Sequence, residues 1–587
     1  MTPLFRNLGL TGRVVADNLA DDPFQFFLQA SRRLPAKFVT PAARLLIAAA
    51  PAGATAIPVL AAELLSGDYA GLRRRLQLAL ERGASPRKAA KLADISLAAN
   101  DPAGADQFLA VSSGAKGHAA ALARRLWYVG AVSEATAALE KESAPGTRPS
   151  RQRARLVSEQ ALLRGWAPDL PAAVIEPVPN RVLHLLTNSL PHTQSGYAQR
   201  THSTLVAQQD AGWETLAVTR LGYPVLVGKL GAGQEDLVDG VRYRRLMPAR
   251  LADTPAGRLQ QQAEETLRLA QEFRPSIIHT TTHYVNGLVA RAVAESLGIP
   301  WVYEVRGQLA DTWASTRGPE AKDSERYKLF QDRESDVMRS ADLVITLGQT
   351  MKENIVAAGV PEEKIVVAPN AVGGDYLLAP RDVSEARSQL GLEQDAQIIG
   401  TVSSLVPYEG LDDLIAAFAL LAPANPQLRL LIVGSGVSLP SLQDQARRTG
   451  FGDRIVFTGL VPRDHARAYH QALDVFVVPR KNLDVTRSVT PLKPVEALAS
   501  ARPVVASALP ALAEIVDDGR TGLLVPPEDP AALAHSLASL LADAPLRRSM
   551  GTSGREHVLS TRTWAANAAA CVQAYRAIAT EKSRRAR

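Results

Sequence analysis

Hydrophobic and polar positions change rhythm twice along the chain. Over residues 1–178, alanine, leucine and arginine recur at three- and four-residue spacing with little β-branched alternation, the period of amphipathic helices. At Arg181 the pattern becomes strand, loop, helix. Val182-Leu-His-Leu-Leu-Thr187 is a short apolar run, a polar loop containing Gly196 follows, and a helical period covers 197–211. Strand-like runs begin again at Thr215, Ser276, Trp301 and Ala341, with helical periods over 259–273 and 287–297. The pattern restarts at Gln397. Further runs start at Leu428, Ile455, Asp474, Val504 and Gly522, with helical periods over 411–421, 530–543 and 561–579. Strands alternating with helices predict mostly parallel, doubly wound sheets. The expected class is α/β, with two tandem Rossmann-like domains preceded by an all-α domain. The expected boundaries are 1–178 (helical), 179–375 (first Rossmann-like domain), 376–580 (second, with a C-terminal helix) and a frayed basic tail, 581–587.

Within the helical part, Gly67-Asp68, Asn100-Asp101 with Ala105, and Gly130 with Ala135 recur 33 and 30 residues apart. That spacing resembles a tetratricopeptide-like repeat; the alternative is an irregular helical bundle. Residues 167–180 hold four prolines and read as a linker.

Composition narrows the class. At 587 residues the chain is too long for one core, and its 46% hydrophobic and 21% charged residues are ordinary for globular protein. The single cysteine, Cys571, excludes an intramolecular disulfide framework and a Cys-rich zinc site. No basic-then-apolar leader opens the chain, and residues 45–65, alanine-rich, are broken by Pro51 and Pro58 and carry Glu63, so no spanning helix is expected. The expected location is the cytoplasm, peripheral to the inner face of the membrane. Charge sharpens this. Residues 1–178 hold 22 Lys and Arg against 15 Asp and Glu, whereas the rest balances at 44 each, so the net +7 lies entirely in the helical part. This part is expected to meet a membrane surface or an acidic protein partner, and no nucleic acid; the alternative is a surplus that serves only solubility.

The richest chemistry lies over 480–507. A strand-like run, Asp474-Val-Phe-Val-Val-Pro479, enters a polar loop, and Thr490-Pro491-Leu492-Lys493-Pro494 opens a helix. A loop feeding a helix N-terminus at a strand end is where α/β proteins hold phosphate. Lys493 adds a fixed cation, and Glu496, one turn in, can accept from ribose hydroxyls. In the first βα loop, Gly196 would let backbone approach a diphosphate. Glu304 and Arg306 follow an apolar run, as groups facing a crevice would, and His283 lies near the same edge.

The segment around 480–507 resembles glycosyltransferase family 4, in the subgroup with T-P-L-K-x-x-E-A motifs. Tyr408-Glu409-Gly410-Leu411-Asp412 fits the same subgroup, and Pro369-Asn370-Ala371-Val372, Val433-Gly434-Ser435-Gly436 and Phe457-Thr458-Gly459 fall in the family's order. The likeness covers 181–579 and implies the GT-B architecture and a retaining glycosyltransferase. The substrates implied are a UDP- or GDP-sugar donor and a hydroxyl of a glycan, lipid-linked or small-molecule acceptor, with no metal and no cofactor. Carried over residue by residue, it implies donor contacts at Gly196, Gly434, Gly436, Thr458, Gly459, Thr490, Pro491, Leu492, Lys493 and Glu496. It implies an acceptor side at Ser195, Tyr197, His279 and Glu304. The sequence departs from the family at two points: Ser488 stands where a sugar-contacting glutamate is usual, and Glu409 where a lysine is usual. Lys493 and Arg480 are therefore expected to supply the displaced positive charge, with His283 and Arg306 as further catalytic candidates. Two alternatives stay open: a nucleotide-sugar 2-epimerase on the same fold, and a helical scaffold with a degenerate enzyme body.

Overall fold

The structure, a computed structural model, describes residues 3–22, 24–27 and 36–585. The first sheet is built from β1 (Arg181–Leu186), β2 (Glu214–Thr219), β3 (Glu235–Val238), β4 (Val241–Arg245), β5 (Ile277–Thr281), β6 (Trp301–Val305), β7 (Leu343–Thr346) and β8 (Ile365–Val367). Their order is β3-β4-β2-β1-β5-β6-β7-β8, parallel except for the β3–β4 hairpin. That hairpin, absent from the sequence-based expectation, turns at Asp239-Gly240, both at positive φ, the pairing that suits a two-residue turn.

The second sheet holds β9 (Gln397–Val402), β10 (Leu428–Val433), β11 (Ile455–Gly459), β12 (Val475–Val478), β13 (Val504–Ser507) and β14 (Gly522–Val525), all parallel, in the order β11-β10-β9-β12-β13-β14. Strand order reverses at β1/β5 in one sheet and at β9/β12 in the other. Ligands of open α/β sheets bind outside such switch points.

Among the described residues before the sheets, the regular elements are helices only. Asp68 and Asp101 cap two of them in the same way: each carboxylate accepts from an amide three residues on, Gly71 N at 2.8 Å and Gly104 N at 2.9 Å. A Cβ on either glycine would collide with that carboxylate, so the repeated spacing has a physical source. Glu63 is buried and paired with Arg75 at 2.6 Å. Among the described residues, no helix is long and apolar enough to cross a membrane.

The helical part shares a core with the first sheet. Leu10, Val132, Leu162 and Leu163 pack in one cluster with Leu183, Leu185, Leu216 and Val218. Buried Asn7 donates to the carbonyls of Leu230 and Ala232, at 2.8 Å each. Glu325 accepts from Ser133 N at 2.7 Å and Arg164 at 2.8 Å. The proline-rich stretch is not a free tether: Ala173 N bonds Ser296 O at 2.8 Å and Val178 N bonds Arg274 O at 2.9 Å.

The domains are joined by two crossings lying side by side. Val372 N donates to Arg562 O at 2.9 Å, and Trp564 N to Val372 O at 3.1 Å. Past this point the last helix, Trp564–Arg585, leaves the second domain. Its Cys571, Val572 and Tyr575 bury against Val182, Ile277 and Val302 of the first sheet. The C-terminal helix, grouped by sequence with the second domain, thus packs on the first. It continues to Arg585, through most of the stretch expected to fray, because its apolar face has a sheet to cover.

Candidate functional site

Three loops at the second sheet's switch point build a cluster of charges. The loop after β9 brings Ser403 and Glu409, the loop after β12 brings Arg480, and the helix Lys493–Ala499, which follows the short helix Asp484–Ser488, opens on Lys493. Glu409 is buried and bridges both cations. Arg480 grips it with two nitrogens, at 3.0 and 3.2 Å, and Lys493 Nζ donates to it at 2.9 Å and to Ser403 Oγ at 2.7 Å. Burial alone would raise the Glu409 carboxyl; Arg480 and Lys493 override it and hold the group at about 2. Burial draws the Lys493 ammonium below the usual lysine range, and Glu409 opposes that. The two expected cations are therefore brought together, with Glu409 as their common counter-ion.

Glu496 lies one turn along the same helix. Burial raises its carboxyl, while Arg463, 3.7 Å away, acts in the opposite sense. Thr490 and Pro491 are buried at the domain junction: the Thr490 carbonyl accepts from Asn370 Nδ2 at 2.8 Å, and its hydroxyl donates to Leu347 O at 3.4 Å. Leu492 is half-buried beside Ala371 and Trp564.

The glycines of the second domain answer to backbone crowding. A Cβ on Gly434 or Gly436 would strike the carbonyl of Ser403 or Leu405, so both let the β10 loop lie against the β9 loop. Gly459, at φ +72°, bonds back to Gly434 N at 3.0 Å, and Thr458 Oγ1 donates to the Gly459 carbonyl at 2.9 Å.

On the first domain, Ser195 caps the helix Gly196–Asp210, its Oγ accepting from Ala198 N at 3.2 Å. A Cβ on Gly196 would meet nothing within 4 Å. Tyr197 is 54% exposed, its ring free to enter the crevice. Gly307, just past β6, links the two sides. A Cβ there would lie 3.6 Å from Val489 of the second domain and 3.7 Å from the Tyr197 hydroxyl. Val489 O in turn accepts from Arg480 at 2.9 Å.

Four expected crevice residues point elsewhere. Glu304 is 2% exposed and pairs with Arg200 at 2.8 Å and with Arg306. Arg306, also 2% exposed, donates to Tyr197 O at 3.0 Å and Thr201 Oγ1 at 2.7 Å. His279 is buried between Glu304 and the Tyr575 hydroxyl. Together they fasten the helix Gly196–Asp210 and the last helix to β5 and β6, so their charges are answered inside the domain. His283 caps the helix Tyr284–Leu297, accepting from Val285 N at 3.3 Å, and stacks on Phe330 with ring centroids 5.4 Å apart. Burial pulls its pKa from 6.5 down to about 4, which keeps it neutral. The sequence pattern does not single out Arg200, Ser403 or Gly307. Ser403 had one signal, its place at the end of the strand where the order reverses.

These shifts predict acid sensitivity. The unfolded chain protonates histidine near pH 6.5, while folded His283 resists until about pH 4, so stability falls as pH drops through that window. Glu409 extends the loss: its native preference for the carboxylate is fully present above the ordinary glutamate range and vanishes as pH falls toward 2. Melting temperature is expected to decline from pH 6.5 downward and more steeply below pH ~4.3. A flat profile from 6.5 to 4.5 would contradict the His283 assignment, and the absence of a steeper fall below pH ~4.3 would contradict that of Glu409.

Comparison with known proteins agrees with this geometry. Residues 195–371 match the family model described as Glycosyl transferase 4-like domain, and 382–557 the model described as Glycosyl transferases group 1. The D-inositol 3-phosphate glycosyltransferase of Streptomyces scabiei is 30% identical over 314 residues, 51% of this chain and 68% of that protein. A GDP-mannose-dependent alpha-(1-6)-phosphatidylinositol monomannoside mannosyltransferase of Mycolicibacterium smegmatis is 32% identical over 227 residues, 38% of this chain and 59% of that one. Among solved structures, sucrose-phosphate synthase from Thermosynechococcus elongatus superposes with a TM-score of 0.56 at 24% identity, over 68% of this chain and 99% of its own, a likeness of fold. Two models in chain order, and a relative matched over two thirds of its length, show that the chain belongs to the GT-B glycosyltransferases of family 4.

Proposed function

We propose that the chain transfers a sugar from a UDP- or GDP-sugar, with retention at the anomeric carbon, to a hydroxyl of a glycan, lipid-linked or small-molecule acceptor. The observation that carries the reading is the Arg480–Glu409–Lys493 cluster at the switch point, across from the open Gly196 turn. Breaking the anomeric bond leaves negative charge on the distal phosphate of the nucleotide. Two cations held by one carboxylate carry one net positive charge, fixed in place before the substrate arrives. Such fixed charge stabilises a developing anion without reorganisation in the transition state. A degenerate body would have no reason to keep this arrangement.

Glu496 is assigned to the ribose hydroxyls. Glu496→Gln is expected to weaken donor binding by about tenfold, the worth of one hydrogen bond to a charged group. Melting-temperature shifts with a panel of UDP- and GDP-sugars read this directly, because a ligand of the native state raises stability by mass action. A mutant shifted as far as the wild type by the same donor would remove Glu496 from the site, and a wild type that no nucleotide sugar shifts would remove the donor assignment.

A further inference from the structure

Where the two domains meet, a groove of about 760 Å³ is lined from both, by Gly307 and Asn354 of the first and by Asp484, Arg487 and Ser488 of the second. Gly307 and Ser488 mark its inner end. Gly307 is the residue that approaches both Tyr197 and Val489, so this end lies in the crevice between the domains. From there the groove runs outward along the first domain, between the helices Glu325–Ser340 and Gln349–Ala357. Its size falls within the roughly 300–1,000 Å³ usual for small-molecule sites.

The lining selects a class of ligand. Its charges are of both signs and largely answered within the protein. Lys322 pairs with Asp484 across the domains, the Asp311 carboxylate accepts from the Tyr327 hydroxyl at 2.6 Å, and Arg339 donates to Ala358 O at 2.9 Å. A polyanion would find no unopposed cluster of cations here, and an acyl chain no continuous apolar wall. Neutral polar groups remain, Gln308 and Asn354 foremost. Asn354 Nδ2 donates to Gln308 Oε1 at 3.1 Å, which fixes both amides. That bond leaves the Gln308 amide protons and the Asn354 carbonyl oxygen without a partner among the described residues. A fixed donor beside a fixed acceptor suits sugar hydroxyls, each of which both donates and accepts.

We infer that this groove is a subsite for the outer residues of an oligosaccharide acceptor, whose terminal hydroxyl reaches the reacting centre at the Gly307 end. The inference rests on the glycosyltransferase reading above and adds the acceptor class. A monosaccharide or a bare lipid headgroup would leave the groove unused.

The probe is the carbohydrate extract of cells lacking this gene, separated into monosaccharide, oligosaccharide and lipid fractions. Full-length enzyme and radiolabelled nucleotide sugar are added to each. Label is expected in the oligosaccharide fraction, with about tenfold higher kcat/KM than on monosaccharide, the worth of one or two added hydrogen bonds. In Asn354→Ala and Gln308→Ala that length preference should shrink to about threefold or less, as a rise in acceptor KM rather than a fall in kcat. Label confined to the monosaccharide fraction, or to lipids bearing no glycan, would overturn the groove assignment. So would full length preference in both variants, or donor hydrolysis with no label incorporated. Donor left intact in every fraction would instead refute the transferase reading itself.

Discussion

Lys493→Ala is expected to lower the release of UDP or GDP from the donor by about 100- to 1,000-fold, the range seen when one preorganised partner of a developing oxyanion is removed. The geometry explains why the loss should fall on rate rather than on folding. Lys493 touches Glu409 and Ser403, and without it Glu409 still keeps both bonds from Arg480. No buried carboxylate is stranded, so the usual cost of breaking a buried ion pair is avoided. The melting temperature should stay close to that of the wild type. Steady-state turnover at saturating donor, beside a thermal melt, decides the matter. A drop of less than about threefold, under ~1 kcal/mol by rate arithmetic, would show that the charge on the leaving diphosphate is met elsewhere.

The second large effect concerns the helical third. A chain beginning near Pro177 should fail to fold cooperatively, although residues 181–585 contain both sheets and every proposed donor contact. Deleting the preceding helices strips Leu10, Val132, Leu162 and Leu163 from the first domain's main core. Each fully buried side chain of this size is worth about 1.5–3 kcal/mol. Four together reach about 6–12 kcal/mol, comparable to the whole stability of a typical domain. The same cut removes Ser133 and Arg164 from Glu325 and Asn7 from the carbonyls of Leu230 and Ala232. The charge surplus and the prolines of 167–180, read alone, favour a detachable docking module. A soluble truncated chain with a sharp unfolding transition would restore that view.

What could be read from the sequence, and what could not, divides by distance. Every strand of the second domain was visible as an apolar run: inner strands such as β10 and β12 are buried on both faces and carry their own signal, and the half-exposed edge strand β11 still reads Ile-Val-Phe. The loop at Lys493 was visible too, since a proline at a helix start and a lysine beside it are local facts. Glu304 and Arg306 were legible as unusual charges, but not their direction. Arg200, which pairs with Glu304, lies 104 positions earlier, and nothing near β6 announces it. Glu409 could be seen to stand where a cation is usual, yet its role as the counter-ion of Arg480 and Lys493, 71 and 84 positions away, needed the fold. Gly434 and Gly436 were noticed for their type, and only the neighbouring carbonyls of Ser403 and Leu405 show the crowding that requires them.

The last helix has a consequence for how the chain is made. Tyr575 seals the first sheet and hydrogen-bonds Gln208 across 367 positions. A ribosome adding about 5–20 residues per second therefore needs roughly 20–70 s between releasing one side of that contact and supplying the other. During that interval the first domain exposes the sheet face around Val182, Ile277 and Val302. The second domain can meanwhile finish all its strands. In this enzyme the N-terminal Rossmann unit is expected to be the last to complete, and newly made chains to lean on a chaperone until Tyr575 arrives.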